Sequence, residues 1–217
     1  MGLKFSIPYQ IPFYETDITH HVKLPHLLAF SLQVSGMQSE SLGNTDKDVF
    51  DNYGLVWIVT DYAIEIDRLP RYNEKVTITT EAISYNKIFC YRNFYITDEA
   101  GQQIMLFKTT FALMDYETRK VAEVPDEVVA PYGADKIKKL LRGPRYKTLE
   151  NPLEILYRVR YFDLDMNGHV NNSKYLEWML DVFDLDFLTE YTPAHIDLKY
   201  VKAVSYTHLR AHETCAD

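Results

Sequence analysis

The sequence predicts an α+β fold in which an antiparallel sheet encloses a helix, and it predicts that unit twice. Three observations carry this. A ten-residue pattern of aromatic, acidic and His-Val positions recurs 148 residues later. An apolar stretch with helical spacing follows each copy. From Leu55 onward, runs rich in Val, Ile, Thr and aromatic residues alternate with short turn signals.

The repeat has no gap. Phe13-Tyr14-Glu15-Thr16-Asp17-Ile18-Thr19-His20-His21-Val22 aligns with Tyr161-Phe162-Asp163-Leu164-Asp165-Met166-Asn167-Gly168-His169-Val170. Acid meets acid at Glu15/Asp163 and Asp17/Asp165, and His-Val meets His-Val. Beyond it, Leu28 meets Leu176, Phe30 meets Trp178 and Leu32 meets Leu180. Each copy reads as an aromatic-rich strand end, an acidic turn and a helix, the order expected of a duplication.

The first helix carries its stripe at Leu24, Leu27, Leu28 and Leu32, with Pro25 near the start, where a missing N–H costs little. Ser31, Ser35 and Gly36 are small and predict a helix closely approached by strands. The second helix uses Tyr175, Leu176, Met179, Leu180, Val182 and Phe183. Asn171, Asn172 and Ser173 stand before it as suitable N-cap types.

Strands are expected over 55–67, 74–85, 88–97 and 102–115. The turns between them are Leu69-Pro70-Arg71-Tyr72-Asn73, Tyr85-Asn86-Lys87 and Asp98-Glu99-Ala100-Gly101. Short turns between long strands mean an antiparallel meander. The segment before Tyr14 reads as a further strand; Gly2 and Ser6 match a myristoylation pattern too loosely to displace that reading. Residues 134–148 hold Lys136, Lys138, Lys139, Arg142, Arg145 and Lys147 around Gly143-Pro144. They form a basic linker, either a solvated connecting helix or a docking patch for an acidic partner.

Composition narrows the function. With 23 Lys+Arg against 31 Asp+Glu, the net charge is −8 in 217 residues, which disfavours a nucleic-acid binder. No apolar run approaches the length of a membrane span. Two cysteines, Cys90 and Cys215, give neither a disulfide framework nor metal spacing. A reducing, cytoplasmic setting is expected. His20, His21 and His26 cluster without the Cys or carboxylate partners a metal set needs, so no metal is expected.

The chemistry concentrates in Asp165-Met166-Asn167-Gly168-His169-Val170-Asn171-Asn172. An acid, an amide and an imidazole at two-residue intervals share one face if the segment is extended. The helix start beside them supplies free N–H groups for a developing oxyanion. Such a set suits attack of water on an acyl carbonyl. An Asx-rich turn that caps a helix beside a satisfied histidine fits the same spacing.

The string Arg160 to Tyr175 closely resembles the signature of the acyl-ACP thioesterases, tandem hotdog proteins. Trp57, Arg68-Leu69-Pro70-Arg71 and Leu113-Met114-Asp115-Tyr116-Glu117-Thr118-Arg119 resemble that family as well. The resemblance runs from about Phe5 to Lys202. It implies hydrolysis of fatty acyl-ACP to free fatty acid and ACP, without a cofactor. It also implies acyl carrier protein as partner, an acidic protein that the basic run, with Lys138, Lys139 and Arg142, is expected to dock; homodimerisation is left open. By the same resemblance, Asn167 positions or polarises the carbonyl, His169 activates water and protonates the thiolate, and Asp165 orients the network or, as argued for related hotdog thioesterases, acts as a nucleophilic carboxylate. Trp57, Asn171 and Asn172 would meet substrate or partner, and Trp57 or Tyr62 would help floor the acyl tunnel. The first turn, with Thr19 where the second has Asn167, would shape structure and not react.

One departure stands out. The register of the family's further catalytic Glu falls on Ala203. Residues 203–217 then depart from strand patterning, and the counterparts of the first meander would lie beyond the last residue. The expectation is a complete N-terminal hotdog over 1–133, a basic linker over 134–150 and a partial C-terminal hotdog over 151–202. In it the second unit keeps one strand at most after its helix, and 203–217 form a non-native tail. An acyl-CoA thioesterase, a hotdog dehydratase and a catalytically impaired acyl-carrier-binding remnant are the rival readings. The Asn167 and Asn171-Asn172 context fits the dehydratase poorly.

Overall fold

A computed structural model describes residues 2–141, 143, 146, 154–165, 169–200 and 208–212. Strand β1 (Lys4–Gln10) precedes the long helix α1 (Leu24–Ser41) and a short helix α2 (Asp46–Tyr53). The meander follows as β2 (Leu55–Ile66), β3 (Lys75–Tyr85), β4 (Phe89–Asp98) and β5 (Gln103–Asp115). Then come β6 (Val121–Ala122), α3 (Asp126–Val129) and β7 (Asp135–Lys136). The second part holds β8 (Glu154–Arg158), α4 (Asn172–Leu180), α5 (Leu185–Glu190), β9 (His195–Lys199) and β10 (His208–His212).

Period-two patterning decides what the sheet encloses. On β3, Val76, Ile78 and Thr80 are buried, while Thr77 and Thr79 between them are partly exposed. The strands line up as β1-β3-β4-β5-β2-β9, each long pair antiparallel. Helix α1 lies on the inner face with Leu24, Leu27, Leu28, Ser31 and Val34 buried, a spacing of three and four residues. These side chains share one core with Ile64, Ile78, Phe94, Ile96 and Phe107 of the sheet. Leu176 of α4 and Leu198 of β9 enter the same core, so the second part packs into the first.

The repeat is structural as well as textual. Thr16 bridges Val22 in the first turn and Leu164 bridges Val170 in the second. Lys23 N–H donates to Glu15 O at 2.7 Å, and Asn171 N–H donates to Asp163 O at 2.8 Å. Tyr9 stacks on Phe30 at 4.0 Å, and Tyr157 stacks on Trp178 at 5.5 Å. The four residues of the two stacks are also 148 apart.

Several expectations change. Helix α2 is too short and polar for periodicity to announce, since Val49 is its one buried residue. Its signal is the Thr45–Asp48 capping box, with Gly54 at φ 66° closing it. The connecting helix expected after Ala134 does not form over its described part. There β7 pairs with the end of β3, and Ile137 N–H donates to Tyr85 O at 2.8 Å. The second part has β8 before its helix and both β9 and β10 after it, where one strand at most was expected there. Residues 208–212 carry no strand pattern, yet the backbone groups of β8 offer them antiparallel partners. The small residues of α1 do not all serve close approach, because a Cβ on Gly36 would meet nothing within 4 Å.

Phe107 is fully buried between α1 and the sheet. Phe107→Ala is expected to cost about 3–5 kcal/mol, read as a fall in the urea midpoint. Asp163, at 1% exposure, accepts from Arg160 N at 2.8 Å, Nε at 3.2 Å and Nη2 at 3.1 Å. Burial alone would raise its carboxyl. The Arg160 hydrogen bonds and the charges of Arg160 and Lys174 outweigh burial and hold it below the usual carboxylate range. A depressed value stabilises the fold above the unfolded value of about 3.9 and ceases to as pH falls through the folded one. The stability gap between wild type and Asp163→Asn is therefore expected at neutral pH and should close below about pH 4. A gap constant across that range contradicts this account.

Candidate functional site

The second turn is tied at both ends. Asp165 N–H donates to His169 O at 2.8 Å, and Asp165 Oδ1 accepts from His169 N–H at 3.1 Å. This closes the segment so that the partly buried His169 ring leaves it beside the end of β5. There Arg119 Nη2 lies 3.2 Å from His169 Nε2. A guanidinium only donates, so Nε2 presents its lone pair and Nδ1 carries the proton.

Arg119 reaches this place through a turn with two anchors. Asp115 Oδ1 accepts from Thr118 N–H and Oγ1, both at 2.7 Å, and Arg119 N–H donates to Asp115 O at 2.9 Å. Arg119 itself adopts a left-handed φ of 58°, which disfavours a side chain there. No role was expected for it from sequence. The visible signal was its place at the end of the Leu113–Arg119 string.

The first turn is closed by the same Asp N–H to His O bond, Asp17 to His21, and has different side-chain contacts. Asp17 Oδ1 accepts from Thr19 N–H at 2.8 Å, Thr19 Oγ1 at 2.7 Å and His21 N–H at 3.2 Å. His21 Nδ1 is held 2.9 Å from Thr19 Oγ1, so this imidazole bonds within its own turn.

His169 and Asp165 border a cavity of about 1360 Å³. Leu32, Ser35, Gly36 and Ser39 of α1 form one wall, and residues 56–60 of β2 with Phe111 and Met114 of β5 form another. Asn172, Tyr175 and Tyr200 close it from the second part. Trp57 lies in this wall, edge-to-face with Phe111 at 6.3 Å. Tyr62, expected as an alternative floor residue, is instead fully buried behind the wall. Cys90 also faces the cavity. Burial pushes its thiol up to about 12, so it stays protonated at neutral pH and is no nucleophile.

The other expected residues separate. Asn172 borders the cavity, but Asn171, expected to meet substrate or partner, caps α4 instead. Its Oδ1 accepts from Ser173 N–H at 3.0 Å and Oγ at 2.9 Å. Lys138 and Lys139 are exposed, and Lys138 lines a different groove, which also holds Lys87 and Lys136. Two of the surrounding charges are paired there, Lys136 with Asp126 at 2.7 Å and Lys87 with Glu123 at 2.6 Å. Asn167, Arg142, Ala203 and Cys215 lie outside the described residues. Among the described residues no group of His, Cys, Asp and Glu could hold a metal ion. No described helix is long and apolar enough to cross a membrane.

Comparison with known proteins places this geometry in a family. A family model described as the acyl-ACP thioesterase N-terminal domain matches residues 2–132, and one described as its C-terminal domain matches residues 146–211. A chloroplastic palmitoyl-acyl carrier protein thioesterase of Gossypium hirsutum is 27% identical over 92% of this chain and 52% of its own length. The chain spans about half the length of the curated relatives it matches. A crystal structure described as an oleoyl thioesterase from Lactobacillus plantarum superposes with a TM-score of 0.91 at 35% identity, covering 97% of this chain and 84% of that one. The 12:0-ACP thioesterase from Umbellularia californica superposes at 0.86 with 20% identity over 100% of this chain and 89% of that one, which carries the fold alone. With the tandem turns, the enclosed helix and these matches together, the chain belongs to the acyl-ACP thioesterase family, of hotdog fold.

Proposed function

We propose that the protein hydrolyses the thioester of a fatty acyl chain carried by acyl carrier protein, releasing the free acid and the carrier thiol. The observation that carries this is one juxtaposition. An imidazole whose Nε2 accepts from Arg119 stands at the wall of a cavity lined by Leu32, Trp57, Val59 and Phe111.

The acyl chain occupies the cavity, and the thioester carbonyl stands at the Asp165–His169 turn. His169 Nε2 exchanges its bond from Arg119 for one from water, and takes a proton from that water as the water oxygen bonds to the carbonyl carbon. The C–S bond then breaks, and the imidazolium returns the proton to the departing thiolate. Asn167 polarises the carbonyl and stabilises the developing oxyanion. Asp165 holds the His169 backbone through Oδ1. Lys138 and Lys139, which make no ion pair among the described residues, dock the acidic carrier together with Arg142. The reading carries a cytoplasmic setting and a place at the release of acids from fatty acid synthesis.

His169→Ala in the full chain is expected to lower turnover of acyl-ACP by about 10²–10⁴-fold with little change in unfolding midpoint. The assay follows free acid and runs acyl-CoA beside acyl-ACP. Near-normal turnover removes His169 from the reaction, and equal use of both carriers removes ACP as the specific partner. Reversing charge at Lys138 and Lys139 should weaken ACP binding at low salt, with the difference vanishing near 1 M, where the screening length falls to about 3 Å. Unchanged affinity at low salt dismisses the patch.

A further inference from the structure

The cavity wall is not uniformly apolar. Arg92 of β4 faces it with 8% of its surface exposed. Nη1 donates to Gln38 Oε1 at 2.6 Å and to Thr80 Oγ1 at 2.8 Å. The guanidinium carbon lies 5.0 Å from the centre of the Tyr132 ring, and Tyr132 Oη is 2.8 Å from Ser39 Oγ. Tyr132 and Ser39 also line the cavity. Nε and Nη2 of Arg92 bond to no described residue, and no described carboxylate pairs with it. Burial pulls the guanidinium down to about 10, which leaves it a cation at neutral pH. A wall made only for hydrocarbon gains nothing from a buried, unpaired cation.

A second observation lies in the same row of the sheet. Arg92 stands opposite Thr109 of β5, and Thr109 stands opposite Tyr62 of β2. Thr109 Oγ1 and Tyr62 Oη are both buried without a hydrogen-bond partner among the described residues. Three polar side chains therefore cross the inner face together, where the rows on one side hold Phe94 and Phe107. Arg92 stands at the β4 end of the row, two strands from Tyr62, which meets Tyr200 of the second part at 6.1 Å. Thr109 precedes Asp115, the anchor of the Arg119 turn, by six residues, or about 20 Å of strand.

We propose that Arg92 forms an oxygen-binding subsite in the acyl cavity, for an acyl chain whose end remote from the thioester carries an acceptor, a carboxylate above all. The subsite rests on the thioesterase reading for the identity of the chain's other end. A guanidinium only donates, and a carboxylate accepts from it in two parallel bonds while cancelling its charge. Arg92 thus acts in specificity, favouring chains that end in oxygen over chains that end in a methyl group.

The test titrates the purified full chain with matched pairs of diacid and monoacid, from octanedioic and octanoic to hexadecanedioic and hexadecanoic. Wild type is run beside Arg92→Met and Arg92→Lys. At the length that fits, wild type should bind the diacid at least about tenfold tighter than the monoacid. That ratio should fall to near one in Arg92→Met and persist in part in Arg92→Lys. Equal binding of both acids by wild type at every length, an absence of binding included, overturns the subsite, as does an unchanged ratio in Arg92→Met. The wild-type ratio decides even if Arg92→Met fails to fold. The binding arm needs no turnover. A parallel hydrolysis assay that found no thioester cleaved would sink the thioesterase reading and leave the Arg92 result standing.

Discussion

Antiparallel pairing of β9 on the edge of β2 is the contact on which the site depends. A strand edge presents unpaired N–H and C=O groups, and β2 has β5 on one side only. Residues 195–199 satisfy the other side from Asp61 to Glu65. Tyr200 N–H to Thr60 O and Ile66 N–H to Ala194 O extend the seam at both ends. Because the pairing fixes β9, it also fixes what precedes it in the chain. Leu176 then reaches the core beside Leu27 and Leu28, and the second turn falls against the cavity built by the first part.

What that seam brings together is a difference between two copies of one turn. In both turns an aspartate oxygen accepts from the histidine backbone N–H, and both put a buried acid two residues earlier, Glu15 or Asp163. The first imidazole is satisfied by Thr19 in its own turn, whereas the second meets Arg119 from the end of β5. The proposed chemistry therefore depends on a contact between parts far apart in sequence, while the turn itself is local.

That distinction governs what could be read in advance. The four meander strands appear within about a residue of their expected ends, because period-two burial and Gly, Pro and Asn turns are local signals. The repeat located the turn around His169 for the same reason. Helices α2 and α5 escaped notice because they are short and bury almost nothing, and only Thr45 and Asp184 mark their starts. The basic run of the linker resembled a helix, but hydrogen bonding to the end of β3 decided the described part of it. Arg119 was invisible as a site residue because its role depends on a left-handed backbone and on where the second part docks. The cavity is a joint property of α1, five strands and α4. No local pattern encodes it, and Ser35 and Gly36 were read as close contacts when they are the room itself.

The paired turns bear on symmetry. A self-associating single unit must place the same residue at both copies of a turn, so any change is made twice. Joining the copies in one chain lifts that constraint. Here one histidine is tied locally by Thr19 while its counterpart meets a guanidinium beside the cavity. The bonds that close each turn are kept in both copies. The side chains could abandon that symmetry, leaving one copy to hold shape and the other free to specialise.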